Sequence, residues 1–270
     1  LYPSYGDTYP MYNGAIGMTY EQGGIGAGLG VQNKDEDTLT LVARAKHHFT
    51  TSMSTIEISA ANKENLLKEF KKYYDNSRSG NAATYKTYVM TAKNPNSLLA
   101  LANLLKKNNI QYGTYSGKFT GFDYATRKEG SFVNEGYALA VNVAQAHGIL
   151  ARVLLEPVTQ VNDSNTYDIT AWNLFQIHGL RAFGIKEKLS VTTYTEVGFK
   201  DNPVSENQVA FVFKPTSTSV AFVDQLIKLG YLVVFNDKEV GFEGNKYGPG
   251  HLWVMKKNGN WESLRLLANK

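Results

Sequence analysis

From residue 39 onward, apolar residues fall three and four apart, at Leu39, Val42, Ala45, Phe49, Met53, Ile56 and Ala60. That spacing lines one face of a helix, because about 3.6 residues complete a turn. A second helical run is predicted over 62–74, with Asn62 as its N-cap and Glu64 four residues before Lys68. Upstream the pattern differs. Residues 1–15 are rich in Tyr, Pro, Gly and Asp, which predicts irregular loop. Residues 15–21 (AIGMTYE) are a short apolar run and read as a buried strand ending in an acid. Residues 23–30 (GGIGAGLG) read as a glycine-rich loop, and the small, polar stretch 75–83 (DNSRSGNAA) reads as a linker.

Beyond the linker, strands and helices alternate. Strands are predicted at 85–90, 110–115 and 137–143, helices at 96–108, 149–155 and 167–179, and a loop or hairpin at 117–131. The last stretch repeats the plan, with strands at 209–213, 231–236 and 251–255 and a helix at 217–229. Residues 88–112 (YVMTAKNPNSLLALANLLKKNNIQY) and 211–235 (FVFKPTSTSVAFVDQLIKLGYLVVF) share strand, turn, helix and strand at matching spacing. Each is followed by an aromatic, a short gap and a glycine (Phe132 and Gly136; Tyr247 and Gly250), then a strand. This reads as a weak duplication of a βαβ unit, which predicts parallel strands with helices packed on them in one α/β layer domain.

Composition narrows the classes. At roughly 150 residues per domain, the 270 residues suggest two domains. The 43% hydrophobic and 19% charged content is that of a globular protein, not a disordered, collagen-like or coiled-coil one. There is no cysteine, so no disulfide, cysteine–zinc site or cysteine nucleophile can form. The net charge of +4 is dispersed, which predicts no nucleic-acid partner. No apolar run is long enough for a membrane span. The opening Leu1-Tyr2-Pro3-Ser4, without Met or a signal peptide, reads like a piece cut from a longer protein.

Few motifs carry chemistry. The glycine loop fits neither the dinucleotide fingerprint nor a P-loop, so it reads as a plain loop. None of the five histidines (His47, His48, His147, His178, His251) begins an H-E-x-x-H or H-x-x-E motif, and His47 and His48 read as helix-flank hydrogen-bonding residues. No G-x-S-x-G elbow is present. Asn162-Asp163-Ser164 matches a glycosylation pattern that chance accounts for. Glu21 remains. A carboxylate at a strand end can be tuned for proton transfer in a cleft. By position alone, an exposed strand-end glutamate is the simpler reading.

The stretch Tyr5-Gly6-Asp7-Thr8-Tyr9-Pro10-Met11-Tyr12-Asn13-Gly14-Ala15-Ile16-Gly17-Met18-Thr19-Tyr20-Glu21-Gln22 resembles the late part of the catalytic domain in zinc carboxypeptidases of the carboxypeptidase A type, in a bacterial branch carrying AIGMTYEQ. The helical run LTLVARAKHHFTTSMSTIEIS resembles that domain's terminal helix, and the resemblance spans residues 1 to about 75. The rest is similar to a C-terminal extension of the class I glutamine amidotransferase type, through Tyr167-Asp168-Ile169-Thr170-Ala171-Trp172. The resemblance implies an α/β protein: a carboxypeptidase-domain remnant over 1–76, then an amidotransferase-like, flavodoxin-like domain over 82–270 with a partial βαβ duplication.

It further implies that Glu21 is the general base of a metallocarboxypeptidase. In such enzymes zinc, held by two His and one Glu, polarises the scissile carbonyl of a peptide and acidifies a water. The zinc-binding H-x-x-E, the third histidine ligand, the substrate-holding Arg and Asn and the substrate-capping Tyr of that family are absent here. The chain alone is therefore expected to hold no zinc and hydrolyse no peptide. Amidotransferase chemistry needs a cysteine nucleophile that the chain lacks. The resemblance also implies export from the cell. A remnant exposing a sheet edge is expected to lean on a neighbour or self-associate. The alternative is a non-catalytic α/β module that docks a partner domain, peptide or glycan through Tyr112, Tyr115, Phe119, Phe122 and Tyr124, residues that otherwise read as hairpin packing.

Overall fold

The computed structural model describes residues 5–23, 26–32, 34–81, 83–158, 174–194, 209–215 and 219–255. Asn162, most of the predicted helix 167–179 and the Tyr167–Trp172 motif lie outside them. The fold is mixed α/β, as the alternating pattern implies. The chain divides into two compact units: Leu1–Ala83 and Val143–Val153 fall in the first, Thr84–Asn142, Leu154–Val158 and Ala171–Lys270 in the second.

The first unit is helical. It contains α1 (Thr8–Met11), the two-residue strands β1 (Val31–Gln32) and β2 (Thr38–Leu39), and the long helices α2 (Leu41–Ala61) and α3 (Lys63–Ser79). Thr40 starts α2 by accepting the Ala43 N–H at 3.1 Å. Asn62 does not cap α3; its side-chain amide donates back to the Ile58 carbonyl at 2.9 Å. α3 also runs further than its apolar pattern suggests, through residues 75–79. Ser77 is buried there, its hydroxyl donating to the Gln145 carbonyl at 2.9 Å and accepting from the Ile149 N–H at 3.1 Å. Gly80, at φ 64°, ends the helix in the left-handed region.

One expectation for this unit is corrected, and one of its helix faces is bare. Residues 15–23 form no strand, because a strand is a property of a pair and no described residue offers them a ladder. The apolar stripe of α2 is not buried: Val42, Phe49 and Ile56 are 64%, 68% and 61% exposed. A helix is set by its local pattern, whereas burial of its stripe requires a facing surface.

The second unit opens with β3 (Thr87–Ala92), α4 (Asn96–Lys107), β4 (Gly113–Thr114), the hairpin of β5 (Gly117–Asp123) and β6 (Lys128–Asn134), and β7 (Tyr137–Asn142). After α5 (Gly148–Leu155) come α6 (Leu174–Ile177), β8 (Arg181–Ile185) and β9 (Thr192–Thr193). The chain continues through β10 (Ala210–Phe213), α7 (Ser219–Lys228), β11 (Leu232–Phe235), β12 (Val240–Phe242), β13 (Asn245–Tyr247) and β14 (Leu252–Met255).

The seven-stranded sheet runs β6-β5-β8-β3-β7-β4-β9, and every neighbouring pair is antiparallel. The smaller sheet runs β10-β14-β11, again antiparallel throughout. This corrects the expected flavodoxin-like layer of directly paired parallel strands. In each repeat the two strands joined by a helix do run parallel, but a third strand that follows a hairpin is inserted between them. β7 separates β3 from β4, and β14 separates β10 from β11. Each repeat is thus a split βαβ unit.

The correspondence extends to single residues. Ala140 faces Val89 and Gly113, and Trp253 faces Val212 and Val234. Both helices end in one motif. The Ile110 N–H reaches the Leu105 carbonyl and the Tyr231 N–H reaches the Leu226 carbonyl, each at 3.0 Å. Asn109 and Gly230 between them both have positive φ, at 52° and 79°.

Burial follows strand alternation. Val89, Ala140, Phe183, Ile185, Ala138 and Phe119 form one core cluster, with Phe132 and Tyr115 packed against it. Tyr88, Met90, Leu139 and Val141 occupy the alternate positions and are also buried; α4 packs against β3 and β7 and buries Leu98, Leu101, Ala102 and Leu105.

Candidate functional site

Glu21 lies in the irregular segment 15–23 and is exposed. The segment is held along α2 on both sides of it. The Tyr20 hydroxyl pairs with the Thr55 hydroxyl at 3.1 Å, and the Gln22 side-chain oxygen pairs with His47 Nδ1 at 2.8 Å. One residue further back, Thr19 donates to the Asp7 carboxylate at 2.7 Å. Two tyrosines of α3 hold the chain that leads into this segment: Tyr73 donates to the Tyr12 carbonyl at 2.6 Å and Tyr74 to the Asn13 carbonyl at 3.1 Å. Burial, with smaller contributions from Tyr74 and Tyr12, pushes the Tyr73 phenol up to about 12, so it stays a neutral donor. Glu21 is thus an exposed carboxylate on a segment pinned at its two neighbours.

The other candidates are not brought to Glu21. His47 serves Gln22, in keeping with a helix-flank role. His251 Nδ1 contacts the Gly248 carbonyl at 2.7 Å. Burial lowers the His178 pKa, and its Nδ1 is buried without a hydrogen-bond partner among the described residues, so the ring is neutral. Among the described residues, no three His, Asp or Glu side chains converge as a metal-holding group. Of the five aromatics offered as a docking surface, one is buried and Tyr112, Tyr115, Phe122 and Tyr124 are half-buried. Phe119 is buried, its ring 5.1 Å from Phe183 and 6.0 Å from Phe132, and Tyr115 packs on the same cluster.

The second unit holds a charged centre that pattern reading missed. Asp123, at the end of β5, is 0% exposed. Its carboxylate accepts from Arg181 at 2.7 Å, from the Thr126 hydroxyl at 3.0 Å and from the Ala125 N–H at 3.1 Å. Burial pushes its pKa up, but these bonds outweigh that and hold the carboxyl below its ordinary value. The Arg181 guanidinium lies 5.0 Å from the centre of the Phe183 ring and 5.4 Å from that of Phe132. Next to it opens a cleft of about 320 Å³ lined by Phe122, Tyr124, Phe175, Val158, Arg127 and Arg181, among others. Tyr124 donates to the Leu155 carbonyl at 2.6 Å, and burial raises its pKa. The sequence carried one local signal for this centre, an Asp followed two and three residues on by N–H and hydroxyl donors in Asp123-Tyr124-Ala125-Thr126.

No protein-family description, curated protein or solved structure matches the chain.

Proposed function

We propose that the chain is the C-terminal portion of a zinc metallocarboxypeptidase, with Glu21 as its general base and the second unit as a non-catalytic appendage. The observation that carries the proposal is the setting of Glu21: an exposed carboxylate in AIGMTYEQ, held between the Tyr20–Thr55 and Gln22–His47 contacts. The bare stripe of α2 and the apolar segment before Glu21, which has no strand partner among the described residues, support it, because both are surfaces that a larger α/β domain would cover.

In this proposal the metal and its ligands belong to residues outside this chain, and zinc supplies the polarised water of a peptidase. The chain contributes the base. The Glu21 carboxylate takes a proton from the attacking water and delivers it to the leaving amine of a peptide's C-terminal residue. Export and self-association through the exposed first unit belong to the same proposal.

The test is carboxypeptidase turnover by the longest natural product of the gene, with and without Glu21→Gln. Loss of turnover with zinc content preserved supports the reading. Undiminished turnover overturns it, and absence of both zinc and turnover in the natural product favours the non-catalytic module.

A further inference from the structure

Beside the Glu21 segment, α2 carries a row of polar side chains that its apolar stripe does not account for. His47, Thr51 and Thr55 follow one another at four-residue spacing and so lie along one ridge of the helix. Thr51 donates to the His47 carbonyl at 2.9 Å, and Thr55 donates to the Thr51 carbonyl at 2.8 Å. These bonds turn both hydroxyl hydrogens back along the helix and leave the oxygens as acceptors. Thr51 and Thr55 are half-buried, whereas His48, the next residue after His47, is exposed and off this ridge.

The chain around Glu21 runs along the ridge in the opposite direction to α2. Tyr20 meets Thr55 at 3.1 Å, and Gln22 meets His47 at 2.8 Å. The single hydrogen of the Thr55 hydroxyl is already given to Thr51, so in the Tyr20 pair the phenol donates and Thr55 accepts. The phenol's other neighbour, the Met18 sulfur at 3.4 Å, is a weak acceptor. At the other end the Gln22 oxygen accepts, so His47 Nδ1 carries the proton. Side chains 20 and 22 turn to the helix and Glu21 between them is exposed, the alternation of an extended chain. No ladder among the described residues holds this segment, so the side-chain bonds to α2 are what restrict the Glu21 backbone.

We propose that His47 is a positioning residue for Glu21, acting through Gln22, while the Tyr20–Thr55 pair fixes the other flank. The inference rests on the reading of Glu21 as a general base and adds the groups that aim it. A general base works only within hydrogen-bond reach of the proton it takes, and a misplacement of about 1 Å can cost about a hundredfold in rate. His47 itself is exposed, so its replacement removes an aiming bond and little packing.

The experiment is steady-state carboxypeptidase kinetics on the longest natural product of the gene, comparing the parent with His47→Ala, His47→Asn, His48→Ala and Glu21→Gln at equal zinc content. His47→Ala is expected to lower kcat about tenfold with KM and thermal unfolding unchanged, the scale of one hydrogen bond lost from the transition state. Asparagine sets an amide N–H close to the place of Nδ1, so His47→Asn should recover most of that loss. His48→Ala should match the parent. Parental kcat in His47→Ala, a change in KM alone, a loss that His47→Asn does not recover, or an equal loss in His48→Ala overturns positioning by His47; with Glu21→Gln inactive, the general-base reading survives that outcome. Undiminished turnover in Glu21→Gln, or none in the parent, overturns the general-base reading and this inference with it.

Discussion

Asp123 and Arg181, fifty-eight residues apart in sequence, form a 2.7 Å ion pair with the carboxylate fully buried and the guanidinium half exposed. The pair joins the end of β5 to the start of β8, so it ties the hairpin edge of the large sheet to its middle. Replacing Asp123 with Ala removes the acceptor of three hydrogen bonds. Asp123→Ala should cost about 2–3 kcal/mol in urea unfolding, below the full figure for a buried pair because Arg181 regains water.

The same pair sets an acid limit. Asp123 titrates below its ordinary value of 3.8 in the folded chain, so between the two values the unfolded state binds more protons. Its stabilisation is present above pH 3.8 and is lost as pH falls through the folded value. Asp123→Asn should flatten stability against pH in that acid window and leave the neutral plateau's shape unchanged.

His178 adds a second window. Burial lowers its pKa from 6.5, so the unfolded chain takes up a proton that the folded chain resists. Stability should be full above pH 6.5 and fall as pH drops from there through the lower, folded value. His178→Phe should remove this step, read as the thermal midpoint followed from neutral to mildly acidic pH.

Asn236 holds the second repeat's hairpin. Its side-chain amide donates to the carbonyls of Lys238 (2.7 Å), Tyr247 (3.1 Å) and Gly248 (2.7 Å), and its oxygen accepts from the Trp253 indole at 3.1 Å. The first repeat uses Asn134 similarly, its amide donating to Tyr115 at 2.8 Å and Gly136 at 3.2 Å. Asn236→Ala removes four hydrogen bonds to exposed and half-buried partners and should cost about 1–2 kcal/mol, with enhanced amide exchange in β12 and β13.

Gly148 marks a close approach of backbones, since a Cβ there would lie 1.8 Å from the Val143 carbonyl oxygen. Gly148→Ala should destabilise by about 2 kcal/mol or more, whereas Gly241→Ala, which meets nothing within 4 Å, should stay within about 0.5 kcal/mol. Thermal unfolding of both variants checks the contrast.

Much of the second unit was legible in the sequence. The strand, helix, strand order of both repeats is carried by local pattern and by turn residues such as Gly230. Neighbour choice was not. Whether β3 pairs with β4 or admits β7 depends on a strand that arrives only after a hairpin, and no local spacing encodes that insertion. The helix ends align Leu105 with Leu226, whereas matching the two sequences end to end pairs Leu105 with Lys228. Residues 15–21 have the composition of a strand, yet a strand cannot form without a ladder partner, so Glu21 stands on an irregular segment. Asp123 was hidden for a related reason: its partner Arg181 is distant in sequence, and an acid at a hairpin turn resembles any solvated turn residue.

Carboxypeptidase turnover by the longest natural product of the gene, compared with its Glu21→Gln variant at equal zinc content, tests the central proposal most directly. The variant is expected to keep its metal and to lose turnover by about 10²-fold or more, the scale of a general base. A Glu21→Gln protein that cleaves C-terminal residues as fast as its parent would contradict it.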